Sequence, residues 1–169
     1  KSKGKAAEKE LYALAKENNP VYTARALWLL KDLSSGYSEE FSRHPDEDIR
    51  AATVRMAPQE DHSPFLTRMS LDASYQVKQA VATRLYLTEN PEAWLNLASA
   101  YKADDRCFLE ALGIGADRQW DAFFPAWLQS VNNEWNNAAA KDIIWRARTA
   151  IALPMLVKII SAPDADPHR

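Results

Sequence analysis

The residues best equipped for chemistry lie together in "DDRCFLEALGIGADRQWDAFFPAWL", residues 104–128. Cys107 is the only cysteine of the chain and a possible nucleophile. Gly113 and Gly115 stand as G-x-G, the opening of a phosphate-cradling loop. Glu110 supplies a carboxylate between them. Each candidate needs partners. A catalytic thiolate needs a base, most often histidine. The three histidines are His44, before a proline, His62 and His168, and none stands at helical metal spacing. Cys107 has no activating neighbour in sequence except Arg106 and reads as a packing residue. A dinucleotide or P-loop site needs a strand before the glycines and a helix after them. Here the residues before Gly113 are helical in pattern, and the third glycine and Gly-Lys-Ser/Thr are missing. The glycines therefore read as structural: they allow close approach of neighbouring helices or end the helix, with Asp117 capping the next one.

The elements that must position these residues are helices. Gly totals four, Ala and Leu are abundant, and no Val/Ile/Thr alternation persists. Trp120, Phe123, Phe124, Trp127, Leu128 and Val131 form one apolar stripe, with Pro125 expected to weaken or kink its middle. Trp94, Leu97, Ala98 and Tyr101 form another. Ile143, Ile144 and Ala147 oppose Asp142, Trp145 and Arg146, and Leu153, Leu156, Val157 and Ile160 group together. Asn19-Pro20, Ser63-Pro64 and Asn90-Pro91 are start signals, and Asp104 and Asp117 are further cap candidates. Helices are expected near 5–17, 20–33, 37–43, 46–57, 64–70, 73–87, 91–102, 105–114, 118–131, 137–148 and 153–161.

These helices repeat. In PVYTARALWLL, PDEDIRAATVRM, ASYQVKQAVATRL and DRCFLEALGIGA, the residues Arg25, Arg50, Lys78 and Glu110 share one offset. Ala26, Ala51, Ala80 and Ala111 follow at once or one position later. The intervals are 25, 28 and 32 residues. A single helix pair cannot cover both its faces, but stacked pairs can. The expected fold is all-α, an α-solenoid forming a right-handed superhelix of about five short repeats. Proline or aspartate, then an aliphatic and a basic residue, then alanines, resembles compact HEAT repeats.

Composition narrows the function. With 169 residues, the chain is expected to be a single domain over 1–169, with a tail at 162–169. Its termini read as edges of a domain excised from something larger. The net charge is -2, against a nucleic-acid clamp. One cysteine excludes an internal disulfide and a C-x-x-C-H haem attachment. No apolar run approaches the roughly 18 residues of a membrane span. No cofactor, metal or catalytic residue is expected.

A more specific resemblance rests on residues 104–163. D-R-x-x-L-E-A-L-G-I-G-A-D (Asp105 to Asp117), Trp120-Asp121, and D-I-I-W-R-x-R (Asp142 to Arg148) resemble the HEAT-type segment of the membrane-bound-dehydrogenase-like proteins of planctomycetes and their relatives. Members join a sugar-dehydrogenase-like β-propeller, a HEAT region and a C-terminal cytochrome c domain. The resemblance implies a non-catalytic spacer or docking module of a redox protein of the bacterial periplasm or envelope. Its partner would be protein, either a neighbouring domain or a separate chain. Arg50, Arg55, Lys78 and Arg84, all from second helices, are the candidate contact residues. Glu110 is expected to pair with an arginine of an adjacent repeat, Arg146 foremost, with Arg148 and Arg84 near. The alternatives are a HEAT-like DNA glycosylase or nucleic-acid module, which would use some of the six tryptophans around an extruded base, and a sugar-binding surface using Trp135 and Trp145.

Overall fold

The computed structural model describes residues 2–17, 19–34, 36–57 and 63–162, with the backbone alone for residues 2, 3 and 63. His62, His168 and nearly all of the expected tail lie outside the described residues. Every regular element among the described residues is helical. The eleven α-helices are α1 (Ser2–Ala15), α2 (Pro20–Leu30), α3 (Tyr37–Phe41), α4 (Glu47–Met56), α5 (Ser63–Met69), α6 (Tyr75–Arg84), α7 (Pro91–Ala100), α8 (Arg106–Gly115), α9 (Trp120–Ser130), α10 (Ala138–Arg146) and α11 (Leu153–Ile160). Short 3-10 turns extend α6 over Leu85–Leu87 and lead into α11 over Ala150–Ala152.

Local chemistry explains most boundaries. The Asn19 side chain accepts from the Val21 and Tyr22 amides at 3.1 and 3.3 Å, and Pro20 follows it at the first helical position. Asn90 accepts from the Ala93 amide at 3.0 Å, again before a proline. These bonds satisfy amides that the first helical turn leaves without a carbonyl. At α8 the cap is Asp105, not Asp104, and accepts from the Phe108 amide at 2.9 Å. Asp104 instead holds a left-handed turn at φ 78°, which a short polar side chain tolerates. Asp117 does not take the cap position of α9. The chain turns through Arg118 at φ 68°, and α9 starts at Trp120 after Gln119, which makes no side-chain cap.

Pro125 does not break α9, which runs unbroken from Trp120 to Ser130. The carbonyl that loses its bond to the missing N–H belongs to Asp121, on the exposed side of the helix. The opposite side buries Trp120, Phe123, Phe124, Trp127 and Leu128. That burial holds the helix together across the proline.

Helices one apart in sequence pack in a row: α2 on α4, α4 on α6, α6 on α8, α8 on α10. A second row runs α5 to α7 to α9. Ala26, Ala51, Ala80 and Ala111, the recurring small residues, are all buried in the first row. Two apolar clusters result. The smaller gathers Ala15, Leu27, Leu30, Tyr37, Phe41 and Ile49, and the larger runs from Ala51 to Ala152. Helix α4 serves both, giving Ile49 and Met56 to the first and Ala51 and Val54 to the second.

The end of α4 has an uncommon finish. The Tyr37 hydroxyl donates to the Met56 carbonyl, and an Arg84 Nη donates to the Ala57 carbonyl. A helix leaves its last carbonyls without intrahelical donors, and here a phenol and a guanidinium reach them from α3 and α6. Burial pushes the Tyr37 hydroxyl up to about 12, the nearby Arg84 charge opposing it. Burial also lowers the pKa of Arg84 from its usual value.

Of the group expected on α11, only Leu156 packs on the core. Leu153, Val157 and Ile160 are exposed, while Met155, Leu156 and Ile159 pack on the larger cluster. Among the described residues, only one side of this apolar helix has a neighbour. No helix among the described residues is long and apolar enough to cross a membrane.

Candidate functional site

The opening stretch folds as α8 and most of α9, and α8 meets α10 across an open cleft of about 540 Å³. Two glycines set this arrangement. At Gly115 a Cβ would collide with the backbone carbonyl of Ala82, so α6 and α8 approach through that position. At Gly113 a Cβ would collide with the guanidinium of Arg146, so α10 lays that side chain across α8. Neither glycine has positive φ. Close approach, not a left-handed helix end, is the reason for both.

Arg146 donates from Nε to Oε2 of Glu110 at 2.9 Å. The Arg146 side chain is 16% exposed and that of Glu110 46%. The second cation near Glu110 is Arg106, at 3.9 Å one helical turn away. Arg148 lines the same cleft and is exposed, and Arg84 is engaged at the end of α4. Also in the cleft, Tyr101 donates its hydroxyl to Oδ2 of Asp142, one turn before Arg146 on α10, at 2.8 Å. Burial, then this hydrogen bond and the Asp142 charge, raise the Tyr101 pKa above its ordinary value. Tyr101 is thus a donor throughout the neutral range. Trp145 stands at the rim with 59% of its surface exposed.

The half-exposed geometry sets the strength of the Glu110–Arg146 pair. Exposed pairs contribute about 0–1 kcal/mol, and breaking fully buried ones costs about 3–5 kcal/mol. Glu110→Ala is expected to cost about 1–2 kcal/mol, between those limits. Denaturant unfolding of Glu110→Ala, Arg146→Ala and the double variant checks it. Coupling above about 0.5 kcal/mol is expected, and strictly additive losses would show no working pair.

Arg50 holds the offset of Glu110 two layers earlier and does the same task with opposite polarity. Its guanidinium forks onto both oxygens of Asp72, in the loop before α6, at 2.8 and 2.9 Å. Burial alone would raise the Asp72 carboxyl, but the Arg50 hydrogen bonds and the Ser74 amide outweigh it and hold the group below its usual value. Arg50 also donates to the His44 and Pro45 carbonyls. Of the four residues expected to meet a partner, Arg50 and Arg84 are therefore engaged inside the chain. Burying a charge requires such partners. Lys78 lies 5.4 Å over the Tyr75 ring, and Arg55 is exposed. None of the four lines the cleft.

Cys107 is exposed, contrary to its reading as a packing residue. The buried stripe of α8 is Phe108, Ala111, Leu112 and Gly115, and Cys107 falls one position outside it. Among the described residues no group of three His, Cys, Asp or Glu side chains could hold a metal ion. Sequence reasoning grouped Glu110 with Arg146 but did not assign the cleft its Tyr101–Asp142 pair. Tyr101 ends an apolar stripe, which conceals the task of its hydroxyl. Asp142 and Trp145 did carry a signal, since both fall opposite the buried Ile143 and Ile144. Two of the three segments that carried the family resemblance, Asp105 to Asp117 and Asp142 to Arg148, supply most of the lining. Compared with known proteins, the chain matches no protein-family model, no curated protein and no solved structure.

Proposed function

We propose that this chain is a non-catalytic α-solenoid of HEAT-like helix pairs that presents a surface for protein contact. The observation that carries the reading is the row α2, α4, α6, α8, α10, each packed on the next, with a buried alanine in each of the first four and Gly115 and Gly113 of α8 set against α6 and α10. The consecutive helices α1/α2, α3/α4, α5/α6 and α7/α8 pack on one another, and α9/α10 would complete a stack of about five pairs in chain order. Such stacks hold a partner on an extended face instead of enclosing a substrate. Exposed apolar side chains on α2 (Val21, Trp28, Leu29) and α11 (Leu153, Val157, Ile160) suit further packing at either end. Taken with the family resemblance, the chain would be a spacer or docking module of an envelope redox protein. Its parent's chemistry would reside in other domains.

The nucleic-acid reading has less support. Trp94, Trp120 and Trp127 are core residues, not an open cradle for a base. Two assays separate the readings: selection of a random octapeptide phage library on the immobilised chain, and fluorescence anisotropy with labelled duplex DNA. Peptides should enrich, and duplex binding should be weaker than about 10 μM at physiological salt, since the net charge is -2. Sub-micromolar duplex binding without peptide enrichment would reverse the assignment.

A further inference from the structure

The cleft between α8 and α10 combines features that point to one kind of occupant. It is open to solvent, and a small molecule would leave much of its surface in water there. Small-molecule sites bury most of their ligand. A segment of a protein partner, which needs no such enclosure, suits an open cleft better.

The polar groups of the cleft are not equally available. Glu110 is held by Arg146. Oδ2 of Asp142 is occupied by the Tyr101 hydroxyl, which leaves Oδ1 to accept an N–H. Arg106 has only a long contact to Glu110, and its side chain is 88% exposed. Arg148 is exposed at the same rim. The exposed indole of Trp145 lines the same cleft. Tryptophan and arginine are the residues most often found to dominate binding at protein interfaces. An indole with two exposed guanidinium groups and a fixed carboxylate suits a backbone with acidic side chains around an apolar one.

A polynucleotide fits this distribution less well. Asp104, Glu110 and Asp142 share the cleft with the arginines. A phosphate at every nucleotide would meet those carboxylates, whereas a peptide can space its acids to avoid them.

We propose that the α8/α10 cleft binds an extended acidic peptide segment of a protein partner. Arg148 and Arg106 take its carboxylates, Asp142 accepts a backbone N–H, and Trp145 packs against an apolar side chain. Gly113 acts as a positioning residue. Its missing Cβ is the space in which Arg146 lies, and Arg146 in turn fixes Glu110. The proposal rests on the reading of the chain as a protein-contact module and adds the place and the chemistry.

The test begins with octapeptides enriched from the random phage library on the wild-type chain. The best one is synthesised and titrated into wild type, Arg148→Glu, Trp145→Ala and Gly113→Ala. Arg148 and Trp145 are exposed, so their variants should fold, and circular dichroism checks this. Enriched peptides should carry Asp or Glu beside an apolar residue. Arg148→Glu and Trp145→Ala should each weaken binding by about tenfold or more. Gly113→Ala should weaken it less. Peptides that bind all three variants as tightly as wild type would overturn the cleft assignment and leave the protein-contact reading standing. Selection of predominantly basic peptides would overturn the proposed charge preference. Failure to enrich any peptide would count against both.

Discussion

Gly115→Ala is expected to destabilise the protein by about 2–3 kcal/mol, although alanine is the better helix former by about 1 kcal/mol. The added methyl would point at the Ala82 carbonyl, with the Leu85 side chain also close. Ala82 and Leu85 are fully buried, so the obstacle is fixed backbone in the interior. Helix α6 would have to move away from α8, loosening the packing of Val81 and Leu112 in the larger cluster. Gly113→Ala is the internal control, two residues earlier in the same helix. There the obstacle is the end of an arginine side chain, which can swing away. Its stability should stay within about 1 kcal/mol of wild type while the Glu110–Arg146 pair is lost. Equal losses at the two glycines, by urea unfolding, would contradict this account of the α6/α8 contact.

Trp94→Ala should cost about 3–5 kcal/mol. The Trp94 side chain is fully buried and joins three helices. Its ring lies 5.7 Å from that of Trp120, edge to face, and 5.6 Å from that of Phe123. Its Nε1 donates to the Leu112 carbonyl of α8 at 3.0 Å. Removal empties space bordered by α7, α8 and α9, and aromatic rings cannot collapse into it without leaving their rotamers. Trp94→Phe should cost much less, about 1–2 kcal/mol. It keeps most of the apolar contact, and the Ala116 amide still donates to Leu112. A loss below about 1 kcal/mol for Trp94→Ala, by the same unfolding measurement, would show that these helices are not tightly packed around it.

The helices were legible because their causes are local. A capping asparagine before proline, as at Asn19 and Asn90, acts within one turn. The stripe on α9 is a property of eleven consecutive residues. The repeating alanines were legible for a different reason. A tight helix contact admits only small residues, so Ala26, Ala51, Ala80 and Ala111 signal it at each layer. The Glu110–Arg146 contact followed from the same register, because a charge at that offset meets the next layer. What escaped depends on which neighbour arrives. Arg50 looks like a surface cation until Asp72 is brought beside it. Arg84 becomes a cap only because α4 ends where it does. Tyr101 reads as apolar until Asp142, 41 residues later, accepts its hydroxyl proton in a hydrogen bond. Trp28 and the outer face of α11 have core-like patterns but, among the described residues, no layer over them. Apolar periodicity marks a face able to pack and carries no information on whether a neighbour covers it.

The stack of helix pairs is tested most directly by native-state hydrogen exchange on wild type and Gly115→Ala. In a solenoid each layer contacts only its neighbours, so a fault between α6 and α8 should remain near those layers. Protection of amides in α6, α8 and α10 is predicted to fall by about thirtyfold, matching a loss near 2 kcal/mol. Amides in α2, in the separate smaller cluster, are predicted to keep their wild-type protection. A fall of the same factor throughout the chain would mean one undivided cooperative bundle, and would contradict the layered scaffold on which the functional reading rests.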